Sequence, residues 1–520
     1  MKKNIFKIAL LSGLFLISTS CLNDLDTEPR YELTIEKLLQ DDPNAVQGLL
    51  SKVYSSFALS SVKGPGESDI AGANAGESPF IRGLVNLNDF TADGMKNRWG
   101  DGGLDPLTTA SGWSDANKFF KYVYDRIYYT VPQATNLINI INSPSVNINN
   151  EEQIVSELRF LRSLSYYYLI DFFGKGALVT TENFGTTTAL PESSRTQLFN
   201  YVEAELKDIE NKLPDNNEYG RANKSVVRML LAKLYLNSNV YTGVNRYSDC
   251  LEYLNKVIAG GYMLESNFNK NFRSDNNTSK EIIFPLIADT NTSQSYGNTT
   301  YIVNGNLSTS TMNLTNYGAL EGWAGHRATK AWYGLFANNA AGLATSSDKR
   351  AKDFWTTGHS WEMNDYKEFT DGYPSIKYSN LASNGTGNNI AFSSTDFPLF
   401  RLADAYLMYS ECVLRGAAGG SPAQALTYVN NIRTRAGATP ITQSQLTLDF
   451  ILDERGRELN LEGHRRQDLI RFGKFTGGTY LWPWKGGVKN GTSIPNSYNV
   501  FPIPNTALQA NSNLTQNPGY

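Results

Sequence analysis

The chain is poor in the residues that carry catalysis and cross-linking. Its 520 residues include three cysteines and three histidines. Three cysteines build no disulfide scaffold, so a hydrophobic core must hold the fold. Cys250 and Cys412 lie in helical, partly apolar runs and read as two small buried residues, a bridge between them being the alternative. With only His326, His359 and His464, and neither a His-Glu-x-x-His nor a Gly-x-Ser-x-Gly motif, there is little material for zinc or triad chemistry. No twelve-residue EF-hand loop occurs; acidic loops leave a structural calcium ion open, and no other cofactor is indicated. Charge is scarce as well: 19% of residues are charged and the net charge is -3, no footprint for nucleic acid or an anionic lipid surface. No apolar run approaches the roughly 20 residues a membrane-spanning helix needs.

What is present begins at the N-terminus. Lys2, Lys3 and Lys7 precede the apolar run 8–17, and Ser18, Thr19 and Ser20 lead into Cys21. That is the layout of a signal peptide (1–20) cleaved before a lipidated cysteine. Simple secretion with a free Cys21 is the alternative. Residues 21–34, with Asp24, Asp26 and Glu28, form a polar acidic tether that extends away from a bilayer. An acidic stretch just after the cysteine resembles a surface-export signal of bacteria with an outer membrane, and a lipid-anchored, surface-exposed chain at the cell outer membrane is the expectation.

Helical periodicity dominates the rest. Apolar residues recur at three and four positions in segments 153–173, 196–213, 221–238, 246–259, 399–415, 422–437 and 446–472. The spacing resembles tetratricopeptide-like helix pairs of roughly 34 residues. The expected fold is mostly α: a right-handed superhelical scaffold of such pairs with large irregular insertions. Between 64–113 and across 261–398 the period collapses into Asn, Ser, Thr and Gly with scattered rings. The domain reading is therefore an N-terminal helical region 35–260 with a loop insertion at 64–113, a loop-rich ligand-binding region 261–398, and a C-terminal helical region with its tail at 399–520. Long loops inside an ordered protein usually carry function.

The densest charge lies at 453–471. Glu454, Glu458 and Glu462 follow at one-turn intervals with arginines between them, which reads as a solvated helix face laced with ion pairs. Leu459, Leu461, Leu469 and Ile470 show the same segment packing, which favours a structural network over catalysis.

These residues also carry a family resemblance. Glu454-Arg455, Glu458-Leu459, Glu462-Gly463-His464-Arg465, Asp468-Leu469 and Arg471-Phe472-Gly473 resemble the signature of the RagB/SusD family of surface glycan-binding lipoproteins. So do Glu157 to Arg162, Gly220-Arg221-Ala222, Arg401 to Glu411, Asn430 to Gly437, and the ending Phe501-Pro502-Ile503-Pro504 with Leu514 to Tyr520. The resemblance spans nearly the whole mature chain in order. It implies a repeat-like helical fold at the outer membrane, partnership with a SusC-like TonB-dependent transporter, and binding of oligosaccharide or polysaccharide without catalysis.

A neutral oligosaccharide offers apolar C–H faces and a rim of hydroxyls. Its binder needs aromatic platforms and side chains that both donate and accept. Such residues gather in the two insertions. The first holds Asp69, Arg82, Asn86, Asn88, Asp89, Asn97, Trp99 and Asp101; the second holds Tyr296, Tyr301, Asn304, Tyr317, Trp323, His326, Arg327, Trp332 and Tyr333. By resemblance to the starch-binding branch, Trp99, Tyr296 and Trp323 are the expected platforms and Arg82 their polar partner, with Asp69, Asp101 and Arg327 completing the site. Trp332 and Tyr333 follow helical spacing with Leu335 and Phe336 and belong to the core. Each buried aromatic face is worth about 1.5 to 3 kcal/mol. Two or three faces less ordering costs give a dissociation constant of about 10 μM to 1 mM. The competing readings are a surface glycoside hydrolase, which needs two carboxylates about 5 to 9.5 Å apart, and a peptide-binding or assembly module of the same transporter.

Overall fold

The structure is a computed structural model that describes residues 34–520. The signal peptide, Cys21 and the tether to residue 33 lie outside the described residues. Ten helices frame the fold: α1 (Val46–Ser55), α2 (Lys118–Ile141), α3 (Glu151–Phe172), α4 (Arg195–Ile209), α5 (Lys224–Leu236), α6 (Tyr247–Ile258), α7 (Leu402–Leu414), α8 (Pro422–Arg435), α9 (Leu448–Leu459) and α10 (Arg465–Arg471). Each long helix packs on the next, α2 on α3, α3 on α4, α4 on α5, α5 on α6, α6 on α7 and α7 on α8, which is the tetratricopeptide-like stacking the periodicity implies.

Local chemistry starts these helices where they start. Ser194 and Gln197 form a reciprocal capping box at α4, and Asn223 accepts from the Val226 amide at α5. Ser421 caps α8, with Pro422 at its first position. α3 is buried on nearly all sides from Leu158 to Phe172, so it runs through the centre of the scaffold. Cys250 and Cys412 are buried free thiols on α6 and α7. Among the described residues no helix is long and apolar enough to cross a membrane.

Three expectations change. The 24-residue helix α2 went unread, because Pro132 interrupts a run rich in Tyr and Phe. The segment 399–415 begins as a strand, Phe397–Arg401, before α7. The segment 446–472 is two helices: Leu461 (φ 61°) and Gly463 (φ 75°) turn left-handed between α9 and α10. A Cβ on Gly463 would lie 2.7 Å from Leu84 Cγ, so the turn lies directly on the first insertion.

The insertions are compact. Residues 80–97 are buried throughout, and four short strands tie the insertions to the scaffold and to each other. They are β1 (Met95–Asn97), β2 (Ile282–Leu286), β3 (His326–Ala328) and β4 (Phe397–Arg401), paired antiparallel as β1 with β3 and β2 with β4.

The charge-dense segment is buried, not solvated. Glu458 pairs with Arg401 and Arg350 at 2.7 Å and also with Arg435; Glu454 holds Arg350, Arg433 and Arg457; Glu462 holds Arg401 and Lys377 at 2.6 Å. A second lattice links Asp404, Asp468 and Glu411 with Lys233, Arg455 and Arg471. Burial alone would raise the Glu458 carboxyl, but Arg435, Arg401 and Arg350 outweigh it and hold the group well below the usual carboxylate range.

Candidate functional site

The β1–β3 ladder builds the site. Asn97 lies opposite His326, Lys96 opposite Arg327 and Met95 opposite Ala328. Trp99 follows β1 by two residues and Trp323 precedes β3 by three, so the ladder delivers two rings from distant parts of the sequence to one place. Their centroids are 6.2 Å apart with planes tilted 57°. Trp99 Nε1 donates to the Trp323 carbonyl at 3.0 Å, and the Trp99 amide donates to Asn97 Oδ1 at 2.7 Å. Tyr296 continues the line, 6.5 Å from Trp323 with a 43° tilt. Tyr296 is 43% exposed, and both tryptophans are half-buried. Phe392 packs 4.9 Å from Tyr296 at the far end.

The floor beneath Trp99 is rigid. Its ring sits against Tyr301 (5.7 Å) and the imidazole of His326 (5.1 Å). Gly325 supplies the remaining contact: a Cβ there would lie 2.3 Å from Trp99 Cε2. The Tyr301 hydroxyl donates to Asn86 Oδ1 at 2.6 Å. His326 is fully buried; burial first, then Arg82 and Arg327, keep the ring neutral well below its ordinary value.

Arg82 lies at the edge of the arc. Its guanidinium is 4.5 Å from the Tyr301 centroid and 5.7 Å from that of Trp99, donates to the Gly76 carbonyl and pairs with Asp101 at 3.6 Å. The Asp101 side chain is 44% exposed, so this pair borders solvent beside the rings. At the other ring, Trp323 Nε1 donates to Glu321 Oε2 at 2.9 Å.

Trp99, Asp101, Tyr296 and Trp323 therefore converge on one surface, with Arg82 buried just behind its edge. Two expected residues do not. Arg327 is completely buried, donating to the carbonyls of Gly325, Asp371, Tyr366 and Glu368; it braces the second insertion from within. Asp69 faces Arg126 at 3.8 Å, and no contact joins it to the rings. Asn86, Asn88, Asp89, Asn97, Tyr301, Asn304 and His326 are likewise buried as floor and frame. Sequence reasoning missed Glu321, Gly325 and Phe392. The first two flank Trp323, where proximity to a chosen ring was the available signal.

The family signature holds this site from behind. Arg465 grips Asp93 with two bonds of 2.8 and 2.7 Å, and the Gly463 amide donates to Asp89 Oδ2 at 3.0 Å. The α9–α10 turn thus clamps the segment that carries Arg82 and Trp99. Burial pushes the Asp89 carboxyl up to about 8, so it is protonated in the fold at neutral pH. Its folded value exceeds the unfolded value near 3.8, so the stability it contributes is complete below pH 3.8 and is lost as pH rises through 8. Asp89→Asn keeps the acceptor and removes that slope. The variant's melting midpoint should gain on the wild type between pH 5 and 8.5, and an equal offset at both pH values would refute the assignment.

Among the described residues no group of three or more His, Cys, Asp or Glu side chains is gathered to hold a metal ion.

Comparison with known proteins gives a consistent answer. A family model described as the SusD family matches residues 358–520. The starch-binding protein SusD of Bacteroides thetaiotaomicron is 33% identical over 568 aligned positions, covering 100% of this chain and 99% of the relative. SusD-like protein P25 of Formosa agariphila is 24% identical, covering 96% and 97%. Among solved structures, a SusD superfamily protein from Bacteroides vulgatus superposes with a TM-score of 0.70 at 19% identity, covering 93% of this chain and 99% of its own. Surface glycan-binding protein A of Bacteroides thetaiotaomicron, in complex with laminarihexaose, superposes with a TM-score of 0.69 at 20% identity, covering 91% and 98%.

Proposed function

The chain belongs to the SusD family, and from that premise we propose that it captures starch-type α-glucan oligosaccharides on the Trp99–Trp323–Tyr296 arc and passes them on uncut. The observation that carries this reading is the tilt between successive rings. Successive rings are 6.2 and 6.5 Å apart and turn by 57° and 43°. A helical α-1,4-glucan presents C–H faces that turn along the chain and follow such a surface, whereas a flat β-1,4 ribbon needs coplanar platforms. Asp101, held by the buried Arg82, supplies acceptors at the rim.

Binding without cleavage is supported by the state of the nearby carboxylates. Asp101 is paired with Arg82, and Glu321 receives the Trp323 indole N–H. Each serves a neighbour on the arc, and hydrolysis would need a facing acid and base across the scissile bond. The modest affinity of two or three rings suits a protein that must release its cargo. A lipid on Cys21 would hold the chain at the outer membrane surface, and a SusC-like TonB-dependent transporter would receive the sugar.

Titration calorimetry with maltoheptaose, laminarihexaose and cellohexaose tests the reading, using the chain from Leu22, which contains every described residue. Maltoheptaose should bind at least tenfold more tightly than cellohexaose, with no new reducing ends after prolonged incubation. Equal affinities, or steady release of reducing ends, would refute it.

A further inference from the structure

A second concave surface lies on the scaffold apart from the rings. It is a groove of about 1090 Å³ between α1, the turn at 217–221 and the end of β2 with the loop that follows. That volume is at the upper end of small-molecule sites, which run to about 1,000 Å³. We propose that this groove is a second carbohydrate-binding site, taking another stretch of the same glucan; the proposal rests on the glycan reading of the arc.

Tyr219 is the observation that points to a sugar. Its ring is 43% exposed, yet its hydroxyl is pinned at 2.6 Å to Asp396, a buried carboxylate that also accepts the Ala288 amide at 2.9 Å. One carboxylate thus fixes both walls. A ring immobilised before binding forfeits no rotamer freedom when a sugar face lands on it. Ile287 lies against the same turn. Gly220 (φ +83°) permits that approach, since a Cβ there would lie 2.6 Å from Ile287 Cδ1.

The rim mixes neutral and charged groups, with Lys52 and the exposed Glu218 beside amides and hydroxyls. Gln47 and Ser51 stand one turn apart on α1, both exposed, and Asn150 is exposed across the groove. Arg221 is tied by two bonds of 2.9 and 2.7 Å to buried Glu157 and donates to Gln47 Oε1 at 3.2 Å, so its charge is held by the protein. A fixed aromatic face beside amides and hydroxyls that donate and accept is the chemistry of polyol recognition.

The groove and the arc are close in the chain. Ser293 lines the groove and Tyr296 stands on the arc, three residues apart, a span of at most about 10 Å. One polymer can therefore occupy both, and the second contact gains from effective concentration.

Two readouts separate the sites. No tryptophan lines the groove, so quenching of Trp fluorescence reports the arc, while saturation-transfer NMR reports all bound sugar. Tyr219→Ala should leave quenching by maltotriose within twofold of the wild type and weaken soluble amylose by fivefold or more. Gln47→Ala/Ser51→Ala, on an exposed helix face, should reproduce the amylose effect with the fold kept, since Arg221 retains both bonds to Glu157 when its bond to Gln47 is lost. In a Trp99→Ala/Trp323→Ala background, maltoheptaose should keep a weak saturable signal that Tyr219→Ala removes. No signal in that background, or a signal that survives Tyr219→Ala, overturns the groove and leaves the arc standing. Absent quenching in the wild type with a Tyr219-dependent NMR signal overturns the arc and leaves the groove. Failure of glucan with saturable binding of a tryptic casein digest would assign the groove to peptide and overturn the proposal.

Discussion

Replacing Trp99 and Trp323 together with alanine is expected to weaken maltoheptaose binding by about 100-fold while the protein stays folded. Covering an aromatic face fully is worth about 1.5 to 3 kcal/mol. Both rings are half-buried in the free protein, so only part of each remains to be covered and the lower figure applies. Two such losses sum to about 3 kcal/mol, or two decades in the dissociation constant. The fold survives because neither ring is a core residue. Trp99 does rest on Tyr301 and His326, so its loss is felt, but below the about 3–5 kcal/mol of a fully buried aromatic. The floor keeps its own bonds, Tyr301 to Asn86 and the β1–β3 ladder, when the indoles are gone. Calorimetry gives the affinity and circular dichroism melting gives the fold. A change of less than threefold in affinity, with the melting curve intact, would show that sugar does not bind at this arc.

The helical scaffold was legible because it obeys one period. From α3 to α8 the apolar residues recur at three and four, and the helices lie within a few residues of the expected spans. The insertions were harder for a physical reason. Their Asn, Ser and Thr content reads as exposed loop, yet many of those side chains serve the backbone. Asn267, Asn298, Asn313 and Asn339 each accept an amide two or three residues along and start a short helix. Polar composition here records local caps, not solvent.

The same limit explains the site. No period links Trp99 with Trp323, which are 224 residues apart in sequence; only the β1–β3 pairing joins them, and register between distant strands is not written in either strand alone. The family resemblance supplied those rings, and the ladder explains them. Arg327 stands in the partnered strand, but its side chain turns inward to the Gly325 carbonyl and to three carbonyls of 365–371, an outcome set by the fold of that distant segment. The charged segment 453–471 read as solvated because its partners Arg350, Arg401 and Arg435 lie elsewhere in the chain.

That buried lattice carries the largest expected effect on stability. Glu458 sits at its centre, fully buried, neutralising parts of Arg350, Arg401 and Arg435 at once. Glu458→Gln has nearly the same shape but leaves three guanidinium groups short of one negative charge in a medium that cannot solvate them. Breaking a buried pair in this way costs about 3–5 kcal/mol, whereas an exposed pair such as Lys37 with Asp41 is worth under about 1 kcal/mol. For a chain of this size, with about 2 cal/mol/K of unfolding entropy per residue, the loss is a fall of about 3–5 °C in melting midpoint. The pH dependence separates charge from shape. The folded Glu458 carboxyl lies below its unfolded value of 4.5, so its contribution is complete above pH 4.5 and is lost as pH falls toward the folded value. The gap between wild type and Glu458→Gln should therefore be full at pH 7 and narrow below pH 4.5, while Lys37→Ala shifts neither curve by more than a degree. A Glu458→Gln midpoint equal to the wild type at pH 7 would mean that the lattice does not hold the C-terminal helices against the second insertion, and that this insertion is positioned by packing alone.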